Sequence, residues 1–134
     1  MRAEQLADLH VGWPNPPSPE TFLRSLRNMN AVVLAIDPTT DKVVGFVCGM
    51  TDKTLILYIW DHEVLPGYKG IEEELLRRRL DQSGDIYQIN TITFPDKHEI
   101  FEKQGFAAYD AAKTGLAMTR MRMDWQDGGP HAVK

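Results

Sequence analysis

Apolar positions in this chain follow two different rhythms. Between residues 31 and 65 they form near-continuous runs rich in β-branched residues, Ala31 to Ile36, Lys42 to Met50 and Leu55 to Leu65. The breaks, Asp37-Pro38-Thr39-Thr40-Asp41 and Asp52-Lys53, are turn chemistry, so the runs read as a hairpin extended by a long third strand that Pro66-Gly67 ends. Gly45 and Gly49 inside the second run mark twist or close packing. Elsewhere the spacing is three or four: Phe22, Leu23 and Leu26, then Ile71, Leu75, Leu76 and Leu80, each a helical stripe. Ser18-Pro19-Glu20 supplies an N-cap, a first-position proline and an acid near the positive helix end, so the first of these helices should run to about Asn28. Gly84 stands where a left-handed residue should follow the second. Met1 to Leu9 reads as a short helix stopped by Trp13-Pro14-Asn15-Pro16-Pro17. Ile86 to Phe94 alternates as a strand, Asp96 and Glu99 are spaced as a capping box for a helix ending at Gly105, and Phe106 to Tyr109 with Gly115 to Trp125 read as a closing strand pair.

This order predicts an α+β fold, a mixed sheet of about six strands with helices on both faces and right-handed crossovers between parallel neighbours. Residues 1–126 should form a single domain and 127–134, Gly, Pro and polar, a disordered tail. At 134 residues the chain is long enough to bury one core. A net charge of -4 offers nothing to a polyanion, which argues against nucleic acid as a partner. The one cysteine, Cys48, has no disulfide partner and reads as an inert core thiol. Arg2, Glu4 and Asp8 interrupt the first ten residues, and the longest apolar run, Leu55 to Trp60, is far short of the roughly 20 residues that cross a bilayer. These features predict no membrane association and a cytoplasmic location. His10, His62, His98 and His131 lack metal-ligand spacing, so no metal is expected.

The richest chemistry lies in Glu63-Val64-Leu65-Pro66-Gly67-Tyr68-Lys69-Gly70-Ile71-Glu72, where a strand passes through a tight turn into a helix. Amides at such a helix start converge on an anion, and the helix dipole favours its charge. The segment and the element order around it resemble the GNAT superfamily of acyl-CoA-dependent N-acetyltransferases, whose pyrophosphate loop reads Gln/Arg-x-x-Gly-x-Gly/Ala between strand and helix. Val11-Gly12-Trp13-Pro14 is similar to a segment near the acceptor-side helices of small members. The likeness spans nearly the whole chain, although the family's usual first strand is missing. It implies transfer of an acetyl group from acetyl-CoA to a primary amine, a small molecule or peptide, by direct attack. It further implies that backbone groups of Val64 and Leu65 hold the pantetheine arm, that Lys69, Gly70, Ile71 and Glu72 form the cradle, and that Glu63 is the catalytic base, with Asp61 and His62 behind it.

Two departures stand out. Aligned on Pro66-Gly67-Tyr68, the loop lacks two residues between Gly70 and Ile71, and Glu72 replaces the last motif glycine. That removes up to about 7 Å of reach, and Glu72, Glu73 and Glu74 would face the phosphates. Ile100-Phe101-Glu102-Lys103-Gln104-Gly105-Phe106 is similar to a second family motif, but Phe101 stands where a tyrosine often protonates the leaving thiolate and is itself a core residue. Glu73 and Glu74 precede Arg77 and Arg78 by four residues, which reads as a solvated, ion-paired helix face. Three readings remain: an N-acetyltransferase impaired by these changes, a non-catalytic GNAT-fold binding or dimerisation module, and a truncated or sequence-altered family member whose remaining loop still cups CoA with shifted geometry. In the second, the strand from Ala31 to Ile36 would offer unpaired backbone groups for strand addition and a homodimer.

Overall fold

The computed structural model describes residues 1–68, 70–110, 112–113 and 115–121. Strands β1 (Ala31–Asp37), β2 (Lys42–Thr51) and β3 (Ile56–Val64) form an antiparallel meander. Its first turn closes when the Asp37 carboxylate accepts the Thr39 N–H at 2.8 Å and Asp41 adopts a φ of 59°. Helix α2 (Glu72–Asp81) then crosses to β4 (Gln88–Thr91), which lies parallel to β3, giving the order β1-β2-β3-β4. Helix α1 (Pro19–Asn28) starts as expected, with the Thr21 N–H donating to Ser18 Oγ at 3.2 Å. Gly84, at φ 60°, follows α2. The sheet is covered on both faces: Leu6, Leu9, Phe22 and Leu26 pack on Val44, Phe46 and Cys48, whereas Leu75, Leu76 and Phe101 pack on Val47, Leu57 and Ile59. Among the described residues no helix is long and apolar enough to cross a membrane.

The α+β architecture agrees with the sequence pattern, and the details depart from it in three places. The sheet has four strands among the described residues, not about six. Gly105, at φ 93°, ends helix α3 (His98–Glu102), and the Phe106 N–H closes back on the Phe101 carbonyl at 3.2 Å, so Phe106 packs on Phe101 instead of starting a strand. Residues 115–121 are not in a strand, and 122–125 lie outside the described residues, as does the tail expected to be disordered. The capping box is absent because Pro95 starts a 3₁₀ turn (Pro95–Lys97) that takes in Asp96 and delays α3 to His98. The first helix shrinks to a 3₁₀ turn, Ala3–Leu6, with Gln5 tied to the Arg2 N–H at 2.7 Å and to the Asp41 carbonyl at 2.9 Å.

Both strand glycines mark close packing. A Cβ on Gly49 would lie 2.0 Å from the Tyr58 carbonyl oxygen, and one on Gly45 would lie 3.0 Å from Leu75 Cδ1. Cys48 is fully buried and its thiol is pushed up to about 12 by burial, which makes it the inert core residue expected.

Candidate active site

The parallel pairing of β3 with β4 ends at Ile59 and Thr91, yet β3 continues to Val64 beside β2. Beyond Thr91 β4 no longer pairs with β3, which leaves a gap in the strand pairing along the second half of β3 among the described residues. Backbone groups alternate sides along an antiparallel strand. The Leu65 N–H donates to the Val44 carbonyl at 2.8 Å, so Leu65 and Glu63 address β2, while His62 and Val64 address the gap. The His62 carbonyl there accepts Lys97 Nζ at 2.7 Å. Val64 therefore directs its N–H into the gap, whereas Leu65 is committed within the chain, its carbonyl accepting the Tyr68 N–H at 3.1 Å.

Two carboxylates flank this half-strand. Glu63 Oε1 accepts the His10 N–H at 2.8 Å and Oε2 the Val11 N–H at 3.0 Å. This clamp holds a turn in which His10 and Gly12 take φ values of 63° and 82°. It also buries the His10 ring, with centroids 4.7 Å from Trp13 and 4.5 Å from Phe22; burial holds its pKa below the ordinary value, partly offset by the charge of Glu63. Asp61 Oδ1 accepts the His62 N–H at 2.8 Å, while Oδ2 is buried without a hydrogen-bond partner among the described residues. Burial raises the Asp61 pKa, against the His62 N–H bond and the Lys97 charge.

His62 faces the other way. Its Nε2 lies 3.0 Å from the Glu72 carbonyl and its ring meets Phe101 edge-on at 5.8 Å, so it ties β3 to the start of α2. Burial first, and Lys97 second, push its pKa down to about 4. A depressed imidazole pKa contributes stability that is complete above the unfolded value near 6.5 and is lost as pH falls towards 4. We expect acidification across that window to cost about 3 kcal/mol through His62, read as a falling denaturant midpoint; His62→Gln should flatten that slope.

In the loop, Gly67 and Gly70 take φ values of 94° and 100°, and the Tyr68 hydroxyl donates to Asp37 Oδ2 at 2.6 Å. The Gly70 N–H donates to Glu72 Oε2 at 2.8 Å. The other two glutamates do not face the loop, contrary to expectation: Glu73 pairs with Lys103 at 3.0 Å, and Glu74 pairs with Arg77 at 2.7 Å and Arg78 at 2.8 Å. The reason is the supply of cations along α2 and just past the end of α3, which also gives Arg77 to Asp81 at 2.7 Å and leaves the expected Glu73–Arg77 pair unmade. Ile71, at the N-cap position, makes no side-chain cap and packs against both cores. Lys69 lies outside the described residues.

The fold is shared with solved structures. A proposed acetyltransferase from Deinococcus radiodurans R1 is 34% identical, with a TM-score of 0.82, covering 96% of this chain and 86% of its own. A GNAT-family acetyltransferase from Streptococcus pneumoniae TIGR4 shares the fold at TM-score 0.73 and 24% identity, covering 91% of this chain and 92% of its own. The chain has the GNAT acetyltransferase fold. The fold also matches glucosamine-6-phosphate N-acetyltransferase from Arabidopsis thaliana at TM-score 0.63 and 16% identity, covering 89% and 87% of the two chains. No protein-family profile matches the chain, and no curated protein sequence matches it.

An acyl-CoA would be met unequally here. The gap at Val64 would take a thioester arm, whereas the Gly70 N–H, at the turn where a pyrophosphate would lie, already holds a carboxylate. Phe101 is 3% exposed and packed between His62 and Phe106, a core residue with no proton to give. On the opposite face a groove of about 350 Å3 is lined by Trp13, Thr21, Phe22, Arg24 and Trp60, with the two indoles 6.1 Å apart. A larger hollow of about 650 Å3 runs along β4 and residues 104–109, but Asp61, His62, Glu63 and Val64 do not line it. No motif gives a signal for Lys97 beside the His62 carbonyl, and the burial of one Asp61 oxygen cannot be seen in a string.

Proposed function

We propose that this GNAT protein transfers an acetyl group from acetyl-CoA to a primary amine by direct attack. The observation that supports this reading is β3 running past the end of β4 with the Val64 N–H turned into the gap beside Asp61. That N–H would donate to the thioester carbonyl and stabilise charge developing there. The amine nitrogen bonds to the acyl carbon, the carbon–sulfur bond breaks, and the electron pair leaves with sulfur. Asp61 takes the ammonium proton: its Oδ2 is free of partners among the described residues and its pKa is raised towards a base's working range. Glu63, the base expected from the family, uses both oxygens to hold the turn at His10 and Val11, and we assign it to shaping the acceptor side. The thiolate takes its proton from water, since Phe101 has none. The Trp13–Trp60 groove suits a small or peptide amine with an apolar body, and a cytoplasmic setting completes the reading.

The second reading, a non-catalytic binding or dimerisation module, is favoured by the occupied Gly70 amide and by β1 at the sheet edge. One experiment separates them: thiol release from acetyl-CoA across a panel of primary amines, with sedimentation over micromolar concentrations. Amine-dependent release supports the transferase. No release with any amine, together with a concentration-dependent dimer, would establish the module instead.

A further inference from the structure

We infer that Glu72 is a specificity residue that sets donor recognition on the pantetheine arm and removes the pyrophosphate from it. The inference rests on the transferase reading and names the class of donor: pantetheine thioesters, with or without a nucleotide.

An acyl-CoA brings two recognisable parts, an amide-rich arm ending in the thioester and an anionic nucleotide end. The arm has a place in the gap at Val64. For the anionic end, the turn into α2 offers the Gly70 N–H, and that N–H donates to Glu72 Oε2 at 2.8 Å. The carboxylate thus supplies from within the chain the anion that a helix start attracts. An internal ligand two residues away competes at high effective concentration, and a phosphate displacing it would meet a like charge.

Glu72 is also held from behind, its carbonyl 3.0 Å from His62 Nε2. No ion pair draws its carboxylate away among the described residues, whereas Glu73 and Glu74 are turned aside by Lys103, Arg77 and Arg78. Those cations are in turn spent on glutamates and Asp81, so they do not offer the counter-charge a diphosphate needs. The loop is an anion site whose anion is part of the protein.

The test is calorimetric titration of the full chain, Glu72→Gln and Glu72→Gly with coenzyme A and with pantetheine, each variant first shown to be folded by its melting transition. The wild-type protein should bind the two within about threefold of each other. Glu72→Gly, which frees the amide, should tighten coenzyme A at least tenfold and leave pantetheine unchanged; Glu72→Gln, which removes the charge, should move the same way by less and serves if the glycine variant fails to fold. Wild-type binding of coenzyme A tenfold or more above pantetheine, or an unchanged ratio in the variants, overturns the inference while leaving the transferase reading intact. Failure of pantetheine itself to bind would instead remove that reading and this inference with it.

Discussion

Asp61→Asn should reduce amine acetylation by about 10²- to 10⁴-fold, the usual contribution of a positioned proton acceptor, without weakening pantetheine binding. The same change should leave the fold as stable or make it more so. In the wild-type protein a carboxylate oxygen is buried without a partner among the described residues and burial raises its pKa, so ionisation at neutral pH costs folding free energy that asparagine does not incur. The sign of the pH effect follows: the base works above its pKa, so the acid limb of kcat/KM should lie above the ordinary carboxylate range and vanish from whatever rate the variant keeps. Glu63→Gln should do the reverse. Its carboxamide offers one acceptor to two N–H groups and sets an NH₂ against the other, costing about 1–3 kcal/mol of stability with a smaller loss of turnover. Kinetics and denaturant midpoints on both variants decide the roles; if Glu63→Gln abolishes turnover at unchanged stability while Asp61→Asn is active, Glu63 is the base.

What could be foreseen from the residues was what neighbours in the chain determine. The meander between 31 and 65, the Ser18 cap, Gly84 after α2 and the close approach at Gly49 each rest on local spacing or one residue's size. The candidate site was legible as local structure, a strand, a glycine turn and a helix start in that order. Its working detail is set by partners far apart in sequence. Glu63 is defined by amides of residues 10 and 11, and the His62 carbonyl by Lys97. The direction of Val64 depends on its register against Gly45. The three glutamates looked alike in sequence, and only the placement of Lys103 just past the end of α3 shows that Glu73 leaves the loop while Glu72 stays.

Gly49→Ala tests how fold and site are joined. The register of β2 on β3 passes from Cys48 opposite Asp61 to Gly49 opposite Ile59, so Trp60 is the extra residue of a bulge. A methyl group at Gly49 would sit 2.0 Å from the Tyr58 carbonyl oxygen and 3.0 Å from Ile59 Cα, both backbone atoms. Tyr58 cannot retreat freely, because its strand is bonded to β4 on the other side, with Tyr58 opposite Asn90. The clash must open one ladder or remove the bulge. Removing it would shift β3 by one residue, and a one-residue slip turns every following side chain to the other face, which would exchange Asp61 and Glu63 with His62 at the gap. We therefore expect Gly49→Ala to cost about 3–5 kcal/mol and to lose turnover in whatever fraction remains folded. Gly45→Ala is the control: its nearest obstacle, Leu75 Cδ1 at 3.0 Å, is the end of a side chain that can move, so its cost should be nearer 1–2 kcal/mol. Equal midpoints for the two variants would show that the bulge tolerates a side chain and that the spacing of Asp61 and Glu63 does not depend on it.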